Sequence, residues 1–553
     1  MGKHDSLRIK IVFGCVVAAA SLIGWRLFVL SYLRHTLYTQ TAQAQNQNIS
    51  NILIRGNIFV QDPKAAGTAD DQRYLVATNK KFPLVYATPA TLIDPATTSS
   101  QLAGILQIDQ PTLQAALDSG STASKIIARK ITTAQVAAIN NLNIKGVGIR
   151  YETDRFYPAN IFLSQVIGFL GYGSSGQVAG QYGVEGYFDN ELSGTADDAS
   201  SPRPDDIVLT IDRNVETFAE TELHSVLTKW HAAGGSIIVQ DPQTGKILAM
   251  AQEPTFDPNN YSASPTSSYI NANVQGMFEP GSSFKPITMA AGIDLGKIMP
   301  DTTYVDPGVI NIAGRQIHNF DNLAHGTETM TQVLEKSLNT GAAFVENLIG
   351  QDSFLNYAIN FGLGQKTGVD LPGEVSGDIA NLYSGRQVNF VTASFGQGIA
   401  VTPLQLITAY SALANGGKLM KPYIVDRIIH EGGTEDVTQP EVASIPISEK
   451  TSALVRGMLV NVVDIGFDKA RIKGYDVAGK TGTAQIADGT GGYLPNVFIH
   501  DFLGFAPASN PKFVVLIKMD KPQGITFAAD SLSPTFRDVA AYLLNYYNIP
   551  PDR

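Results

Sequence analysis

A lysine inside an apolar helix constrains the fold of this chain more than any other feature. The segment 280–285 (PGSSFK) is followed by residues 286–292, which carry no charge. The pattern predicts a buried helix, in which a lysine without a partner is costly. Ser282 and Lys285 are three residues apart and therefore share a helical face. A serine hydroxyl needs a base to become a nucleophile, and a lysine kept neutral by burial can serve as that base.

A second polar pair, Ser337 and Asn339, lies in a helical context further along the chain. A hydroxyl in a cleft can relay a proton, and a carboxamide can bind a substrate amide. By itself the pattern is also that of an ordinary helix C-terminus.

The tripeptide K-T-G occurs twice, beginning at Lys366 and at Lys480. Its glycine permits a close backbone approach, its polar side chains can hold a carboxylate, and a strand N–H can complete an oxyanion hole. The first copy follows a predicted helix end and loop. The second lies between strand-like segments and continues as a strand through Thr483. We therefore assign the site to Lys480, Thr481, Gly482 and Thr483.

The N-terminus predicts a membrane anchor. Residues 11–33 are almost entirely apolar and would form a helix about 34 Å long, enough to cross a bilayer. Arg26 lies past the middle of this span and can extend towards the interface. Lys3, Arg8 and Lys10 precede the span, which predicts a cytoplasmic N-terminus and an extracytoplasmic remainder. A cleaved signal peptide is the alternative.

Length and composition indicate several globular domains. The chain has 553 residues and a net charge of -10, which argues against a nucleic-acid binder. Its single cysteine, Cys15, excludes an intramolecular disulfide and a cysteine-based zinc site. We predict a tail and transmembrane helix over 1–36, a mixed α+β pedestal over 37–205, and an α/β catalytic domain over 206–553. No metal site or phosphate-binding loop is evident in the pedestal sequence.

Hydrophobic patterns place the secondary structure. A hairpin is predicted from 236–240 and 246–251. The other predicted strands cover 74–78, 207–211, 475–477, 483–486, 502–506 and 512–518, and the helices 134–142, 283–295, 330–349, 403–414 and 534–547.

The order S-x-x-K, S-x-N, K-T-G is the signature shared by penicillin-binding proteins and serine β-lactamases. Over nearly its whole length the chain resembles class B penicillin-binding proteins, the monofunctional peptidoglycan D,D-transpeptidases. The points of similarity are 25–28 (WRLF), 55–58 (RGNI), 155–158 (RFYP), 183–185 (GVE), 192–194 (LSG), 209–212 (LTID), 241–250 and 395–398 (FGQG). Residues 59–62 (FVQD) depart from the family's usual Asp-Arg-Asn-Gly.

The resemblance implies a role for each site residue. Ser282 would attack the D-Ala-D-Ala amide of a stem peptide, and Lys285 would take its proton. Ser337 would pass a proton to the leaving amine, with Lys480 tuning the electrostatics. Asn339 would bind the peptide amide, Thr481 and Thr483 the substrate carboxylate, with Gly482 between them. The backbone N–H groups of Ser282 and Thr483 would form the oxyanion hole, and no metal or cofactor would be needed.

The family also implies an architecture and partners. The transpeptidase domain would hold an antiparallel sheet flanked by helices, together with an all-α subdomain. The enzyme would crosslink stem peptides in cell wall synthesis, and β-lactams would acylate Ser282. It would be a single-pass protein of the plasma or inner membrane. It would work beside a polytopic membrane glycosyltransferase of the shape, elongation, division and sporulation type.

Two other functions are compatible with the motifs. A carboxypeptidase or β-lactamase-like hydrolase would need a base for water, and Glu374 is a candidate by its place in the sequence. A non-catalytic scaffold or β-lactam sensor is the other. The complete set of motif residues argues against an inactive scaffold, and the short segment before the span leaves little room for a sensor's output module.

Overall fold

The structure is a computed structural model that describes residues 55–68, 71–173, 176–193, 204–489 and 492–553. The predicted span over 11–33, and the whole predicted segment 1–36, lie outside these residues. Among the described residues, no helix combines the length and apolar character needed to cross a membrane. The described chain divides into a smaller compact unit, residues 82–153, and a larger one, residues 55–81, 154–193 and 204–553. The predicted domain boundary at residue 205 stays a prediction.

The strands, in chain order, are β1 (Ile58–Gln61), β2 (Arg73–Ala87), β3 (Lys125–Ala128), β4 (Val147–Phe156), β5 (Phe169–Tyr172), β6 (Val178–Gln181), β7 (Asp206–Asp212), β8 (Gly234–Gln240), β9 (Ile247–Glu253), β10 (Thr303–Asp306), β11 (Val309–Ile312), β12 (Arg315–His318), β13 (Gly326–Thr329), β14 (Leu419–Met420), β15 (Val425–Ile429), β16 (Glu435–Val437), β17 (Val442–Ser444), β18 (Ala478–Ala487), β19 (Tyr493–Ala506) and β20 (Phe513–Asp520).

The α-helices are α1 (Pro95–Leu106), α2 (Gln110–Leu117), α3 (Thr133–Leu142), α4 (Ser164–Ile167), α5 (Gly183–Tyr187), α6 (Asp189–Leu192), α7 (Arg213–Lys229), α8 (Ala272–Gln275), α9 (Lys285–Asp294), α10 (Met330–Glu335), α11 (Asn339–Ile349), α12 (Gln351–Asn360), α13 (Gln387–Ala393), α14 (Pro403–Ala414), α15 (Glu449–Asn461), α16 (Ala528–Ser531) and α17 (Ser533–Tyr546). A 3-10 turn, Gly281–Phe284, leads directly into α9.

The centre of the larger unit is a five-stranded antiparallel sheet with the order β18-β19-β20-β8-β9. The burial of strand β20 on both faces explains why its sequence is almost uniformly apolar. Phe513, Val515 and Ile517 face a core built with α7 and α17, whereas Val514 and Leu516 face the core that contains α9 and α14. Both faces of the sheet are covered, so both sets of alternating side chains must be apolar. The expected antiparallel sheet flanked by helices is confirmed.

A second sheet in the larger unit runs β16-β15-β7-β1-β2, with β1 and β7 parallel. Beside it, three of the family-like segments meet in one buried ion cluster. Glu185 Oε2 lies 2.6 Å from Arg55 Nε, and Glu185 Oε1 lies 2.6 Å from Arg155 Nε. Segment 59–62, which departs from the family's usual sequence, also forms an ion pair: Asp62 Oδ2 lies 2.8 Å from Arg213 Nη1.

The smaller unit has its own core. Leu102 of α1, Leu113 of α2 and Ile139 of α3 pack together with Val85 of β2. The last residues of β2 pair with β3. Its helices begin at side-chain caps, for example Thr132, which caps α3 in a capping box with Gln135. This unit therefore has the mixed α+β character expected of the pedestal.

Most predicted elements of the larger unit are confirmed, including the β8–β9 hairpin, which pairs antiparallel. The helix predicted over 403–414 has the same bounds as α14. The strands predicted at 207–211, 483–486, 502–506 and 512–518 lie in or largely in β7, β18, β19 and β20. The predicted helix 534–547 is α17, and the strand 74–78 and helix 134–142 are parts of β2 and α3.

Two predictions are wrong. The helix predicted over 330–349 is interrupted between α10 and α11, because Ser337 has a left-handed backbone with φ of 56°. The strand predicted over 475–477 has no regular secondary structure, and the Asp476 N–H donates to Asp552 Oδ1 at 2.9 Å and not to a neighbouring strand. Both errors have the same origin, since each apolar pattern continues through a segment whose hydrogen-bond partners are distant in sequence.

Candidate active site

Ser282 and Lys285 lie together at the start of α9. Ser282 is in the 3-10 turn Gly281–Phe284, and Lys285 is the first residue of the helix. The Lys285 Nζ atom lies 3.0 Å from Ser282 Oγ. Lys285 is fully buried. The predicted nucleophile and its base are therefore within hydrogen-bond distance.

Ser337 joins the two lysines of the site. Its hydroxyl lies 3.2 Å from Lys285 Nζ and 3.1 Å from Lys480 Nζ. Its carbonyl oxygen also accepts from Lys285 Nζ at 2.5 Å. The left-handed backbone at Ser337 turns both oxygens towards the lysines. The break between α10 and α11 therefore places Ser337 within hydrogen-bond distance of both lysines.

Burial controls the charge of both lysines. Desolvation, and then the positive charge of Lys480, hold the pKa of Lys285 well below its usual value. Desolvation lowers the pKa of Lys480 to about 7, although Asp501 acts in the opposite direction. A buried lysine loses its proton more readily because the charged form is poorly solvated. Lys285 is accordingly suited to accept a proton from Ser282.

Two glycines allow the nucleophile turn to dock closely. Gly281 has a φ of 56°, and its N–H donates to the Gly396 carbonyl oxygen at 3.0 Å. A Cβ atom at Gly396 would lie 2.2 Å from the Gly281 carbonyl oxygen, and one at Gly281 would lie 3.1 Å from the Thr483 carbonyl oxygen. The turn is thus in contact with the edge strand β18, which carries the second K-T-G.

The K-T-G strand lines the site. Lys480 is fully buried, and its ammonium also lies over the Phe467 ring, 4.8 Å from the centroid. Thr481 is nearly buried. The Thr483 hydroxyl oxygen accepts the Ala528 N–H at 3.1 Å, which leaves its hydrogen free to donate. A side chain at Gly482 would collide with Pro280 O and with Asp501.

Asn339 begins α11 and is held by a network that sequence reasoning missed. Its Nδ2 atom donates to the His318 carbonyl oxygen at 2.9 Å, which leaves its Oδ1 available. Beneath it, Asp306 accepts from Thr340 Oγ1 at 2.5 Å and from Asn319 Nδ2 at 2.9 Å. These residues are separated by 13 to 34 positions and form no motif, so no local pattern in the sequence indicates that they interact.

The first K-T-G lies elsewhere. The Thr367 N–H and hydroxyl both donate to Glu374 Oε1, at 2.6 and 2.5 Å, and the Gly368 N–H donates to Glu374 Oε2 at 3.1 Å. Lys366 and Thr367 line a cavity of about 270 Å³, and Ser282 is not among its lining residues. Both carboxylate oxygens of Glu374 therefore accept hydrogen bonds within its own loop.

Among the described residues, no cluster of histidine, cysteine, aspartate or glutamate has the geometry to hold a metal ion.

Comparison with known proteins identifies two domains. The family described as "Penicillin binding protein transpeptidase domain" matches residues 235–541, and the "Penicillin-binding Protein dimerisation domain" matches residues 67–201. Stage V sporulation protein D of Bacillus subtilis is 34% identical over 89% of this chain and 79% of its own length. Peptidoglycan D,D-transpeptidase FtsI of Escherichia coli is 27% identical over 99% of this chain and 93% of its own.

A solved structure has the same architecture. Penicillin-binding protein 3 of Mycobacterium tuberculosis, in complex with aztreonam, superposes with a TM-score of 0.70 and 26% sequence identity. The match covers 91% of this chain and 98% of that one.

Proposed function

Because this chain belongs to the penicillin-binding protein family, we propose that Ser282 is the residue that attacks the D-Ala-D-Ala amide of a stem peptide. The chain is a serine-type peptidoglycan D,D-transpeptidase, which crosslinks stem peptides in cell wall synthesis and binds penicillin. The observation that carries the assignment to Ser282 is the buried Lys285 Nζ, 3.0 Å from Ser282 Oγ.

The reaction has two halves. Lys285 takes the proton of Ser282 as Oγ bonds to the carbonyl carbon, and the N–H groups of Ser282 and Thr483 stabilise the resulting oxyanion. The C–N bond then breaks, the leaving D-Ala amine gains a proton through the Ser337 hydroxyl, and an acyl-enzyme remains. The amine of a second stem attacks the ester, loses a proton by the same route, and releases Ser282 as the crosslink forms.

The free polar atoms of the site match the parts of this substrate. Asn339 donates from Nδ2 to His318, so its Oδ1 can accept the N–H of the donor peptide. Thr483 accepts through Oγ1 from Ala528, so its hydrogen points away from that partner. We infer that the hydroxyls of Thr481 and Thr483 bind the terminal carboxylate, with Lys480 supplying positive charge.

The alternative of a hydrolase has less support. Rapid deacylation needs a carboxylate that activates water near the acyl-enzyme. Glu374 instead accepts three hydrogen bonds from Thr367 and Gly368 in its own loop. A penicillin adduct that survives for many minutes is the expected result, whereas turnover within seconds would favour the hydrolase.

The test of the nucleophile is a matched pair of serine variants. Ser282→Ala should abolish covalent labelling by a fluorescent penicillin, because it removes the hydroxyl that lies 3.0 Å from Lys285 Nζ in the turn that contacts β18. Ser283→Ala removes a hydroxyl that donates to Pro280 O at 2.8 Å and should still label. If the Ser282→Ala protein labelled as well as the wild type, Ser282 would not be the nucleophile.

The two lysines predict a bell-shaped pH dependence of acylation. The rate should fall as the pH drops and Lys285, whose pKa is depressed, gains a proton and ceases to be a base. It should also fall as the pH rises through about 7, because Lys480 then loses its charge. Stopped-flow labelling with the fluorescent penicillin measures both limbs, and a rate independent of pH would contradict both roles.

We further propose a single N-terminal anchor and a polytopic membrane glycosyltransferase as partner. The apolar segment 11–33 supports the anchor, and the relatives' place in peptidoglycan synthesis supports the partner. The full chain should sediment with membranes and copurify with such a glycosyltransferase. A chain that starts at residue 37 should do neither, and a soluble full-length chain would refute the anchor.

A further inference from the structure

A buried carboxylate lies directly behind the K-T-G strand, and the acyl transfer proposed above does not use it. Asp501 in β19 is paired with Gly482 in β18 and with Lys518 in β20. Cross-strand partners point to the same face of a sheet, so Asp501 shares the face of Lys480, two residues before Gly482. Asp501 is fully buried.

The carboxylate fills the space between the K-T-G strand and the nucleophile turn. A Cβ atom at Gly482 would lie 2.3 Å from Asp501 Oδ2, 2.6 Å from Oδ1 and 2.5 Å from the Pro280 carbonyl oxygen. Within the part of the chain that the structure describes, neither oxygen of Asp501 has a hydrogen-bond partner. The nearby Ser283 hydroxyl donates to Pro280 O instead. A buried carboxylate without hydrogen bonds needs a nearby cation to remain ionised.

The charged and titratable groups that face Asp501 are Lys480 from β18, Lys518 from β20 and Tyr410 from α14. Lys518 is already paired with Asp520. The Lys480 ammonium points at Ser337 Oγ, 3.1 Å away, so Asp501 acts on it through the dry interior and not by contact. Such an interaction is strong because little water is present to screen it.

The two groups influence each other's protonation in the expected sense. Burial raises the pKa of Asp501 to about 7, and the nearby Ser283 hydroxyl and then the charges of Lys480 and Lys518 oppose the rise. Burial lowers the pKa of Lys480, and the charge of Asp501 opposes that fall. Each group therefore favours the charged form of the other.

We propose that Asp501 is a positioning residue for acyl transfer, whose buried carboxylate is the counter-charge that keeps Lys480 a cation beside Ser337. The proposal rests on the roles proposed above for Lys285 and Lys480. A charged Lys480 disfavours a second positive charge on Lys285 and so keeps the base neutral. One carboxylate behind the sheet thus influences the charge of both lysines.

The test compares the pH dependence of acylation in the full-length wild type and in Asp501→Asn, which keeps the shape of the side chain but removes its charge. Without the carboxylate, Lys480 loses its proton at lower pH, so the alkaline limb should move down by about one pH unit. Lys285, no longer opposed by a full charge on Lys480, should hold its proton to higher pH, so the acid limb should move up. Both limbs should move inward.

The control is Glu346→Gln. Glu346 is also buried, and burial raises its pKa to about 7, but no lysine of the site influences it. Its two limbs should coincide with those of the wild type. If Asp501→Asn does not fold, Asp501→Ser removes the same charge with a smaller side chain and is read in the same way.

Each outcome is decisive. Limbs that move inward only in the Asp501 variant support the proposal. A variant with lower thermal stability but wild-type limbs would show that Asp501 only packs against Gly482, and would overturn it. A flat wild-type profile would refute the roles of Lys285 and Lys480, and with them this inference.

Discussion

At the scale of single residues, the site depends on which lysines are buried. Lys285 and Lys480 have no exposed surface and converge on Ser337 Oγ, at 3.2 and 3.1 Å. Lys366 has the same two following residues as Lys480 but is exposed in a loop. Burial, and not the tripeptide itself, gives the second copy its chemical character, because desolvation lowers the pKa of Lys480 to about 7.

This difference predicts opposite results for the two K-T-G lysines. Lys480→Ala should lower the rate of acylation by about 10²-fold or more, the usual effect of removing one electrostatic contact from an active site. Lys366→Ala removes a side chain that faces solvent, so its rate should equal that of the wild type. The rate of fluorescent penicillin labelling measures both. A comparable loss in both variants would mean that the wrong copy has been placed in the site.

At the scale of elements, the nucleophile turn is held between an edge strand and a glycine loop. The 3-10 turn Gly281–Phe284 contacts β18 on one side and Gly396 on the other. Because β18 is an edge strand, its free side can line a cleft. The position of Ser282 therefore depends on backbone contacts that exclude side chains.

Gly396→Ala should disturb this arrangement. A Cβ atom there would lie 2.2 Å from the Gly281 carbonyl oxygen, and the φ of 79° adds backbone strain of about 1–3 kcal/mol. Both the rate of acylation and the thermal midpoint should fall. Gly432→Ala is the control, since Gly432 has a φ of 90° but open space around it. The Gly432→Ala variant should have a lower thermal midpoint but a wild-type rate of acylation. An equal loss of rate in both variants would contradict the role of Gly396.

At the scale of the whole molecule, segments far apart in sequence meet in the ion cluster of Arg55, Arg155 and Glu185. The two guanidinium groups share one carboxylate, and the Tyr157 hydroxyl lies 3.3 Å from it. All of these side chains are buried. The cluster joins residues 55–58 to residues 154–193 within the larger unit. The three family-like segments therefore share one structural role, which is to supply the charged groups of this cluster.

Glu185→Ala should destabilise the larger unit severely. It removes the carboxylate from the buried Arg155 and leaves Arg55 with Asp189 alone, and breaking a buried ion pair costs about 3–5 kcal/mol. Urea unfolding followed by the fluorescence of Trp230, which lies just after α7, reports the loss. Lys469→Ala breaks the exposed pair with Asp530 and should leave the midpoint unchanged. A Glu185→Ala midpoint equal to that of the wild type would show that the cluster contributes no stability.

The sequence by itself determined the fold class and most of the helices and strands, and it singled out the residues that we propose carry the chemistry. These are properties of short segments, because periodicity, capping and motif spacing are encoded within about a dozen residues. The 3-10 entry to α9, the break at Ser337 and the irregular segment at Asp476 were not predicted, since each depends on partners distant in the chain.

Only the tertiary structure decided how the two buried lysines converge on Ser337, which backbone carbonyl holds Asn339, and that Asp501 lies behind Gly482. The physical reason is burial. The helix that begins at Lys285 was recognised from its apolar sequence, but the charge of that lysine depends on Lys480, and the charge of Lys480 on Asp501. Desolvation and Coulombic interaction act through space between residues that only folding brings together.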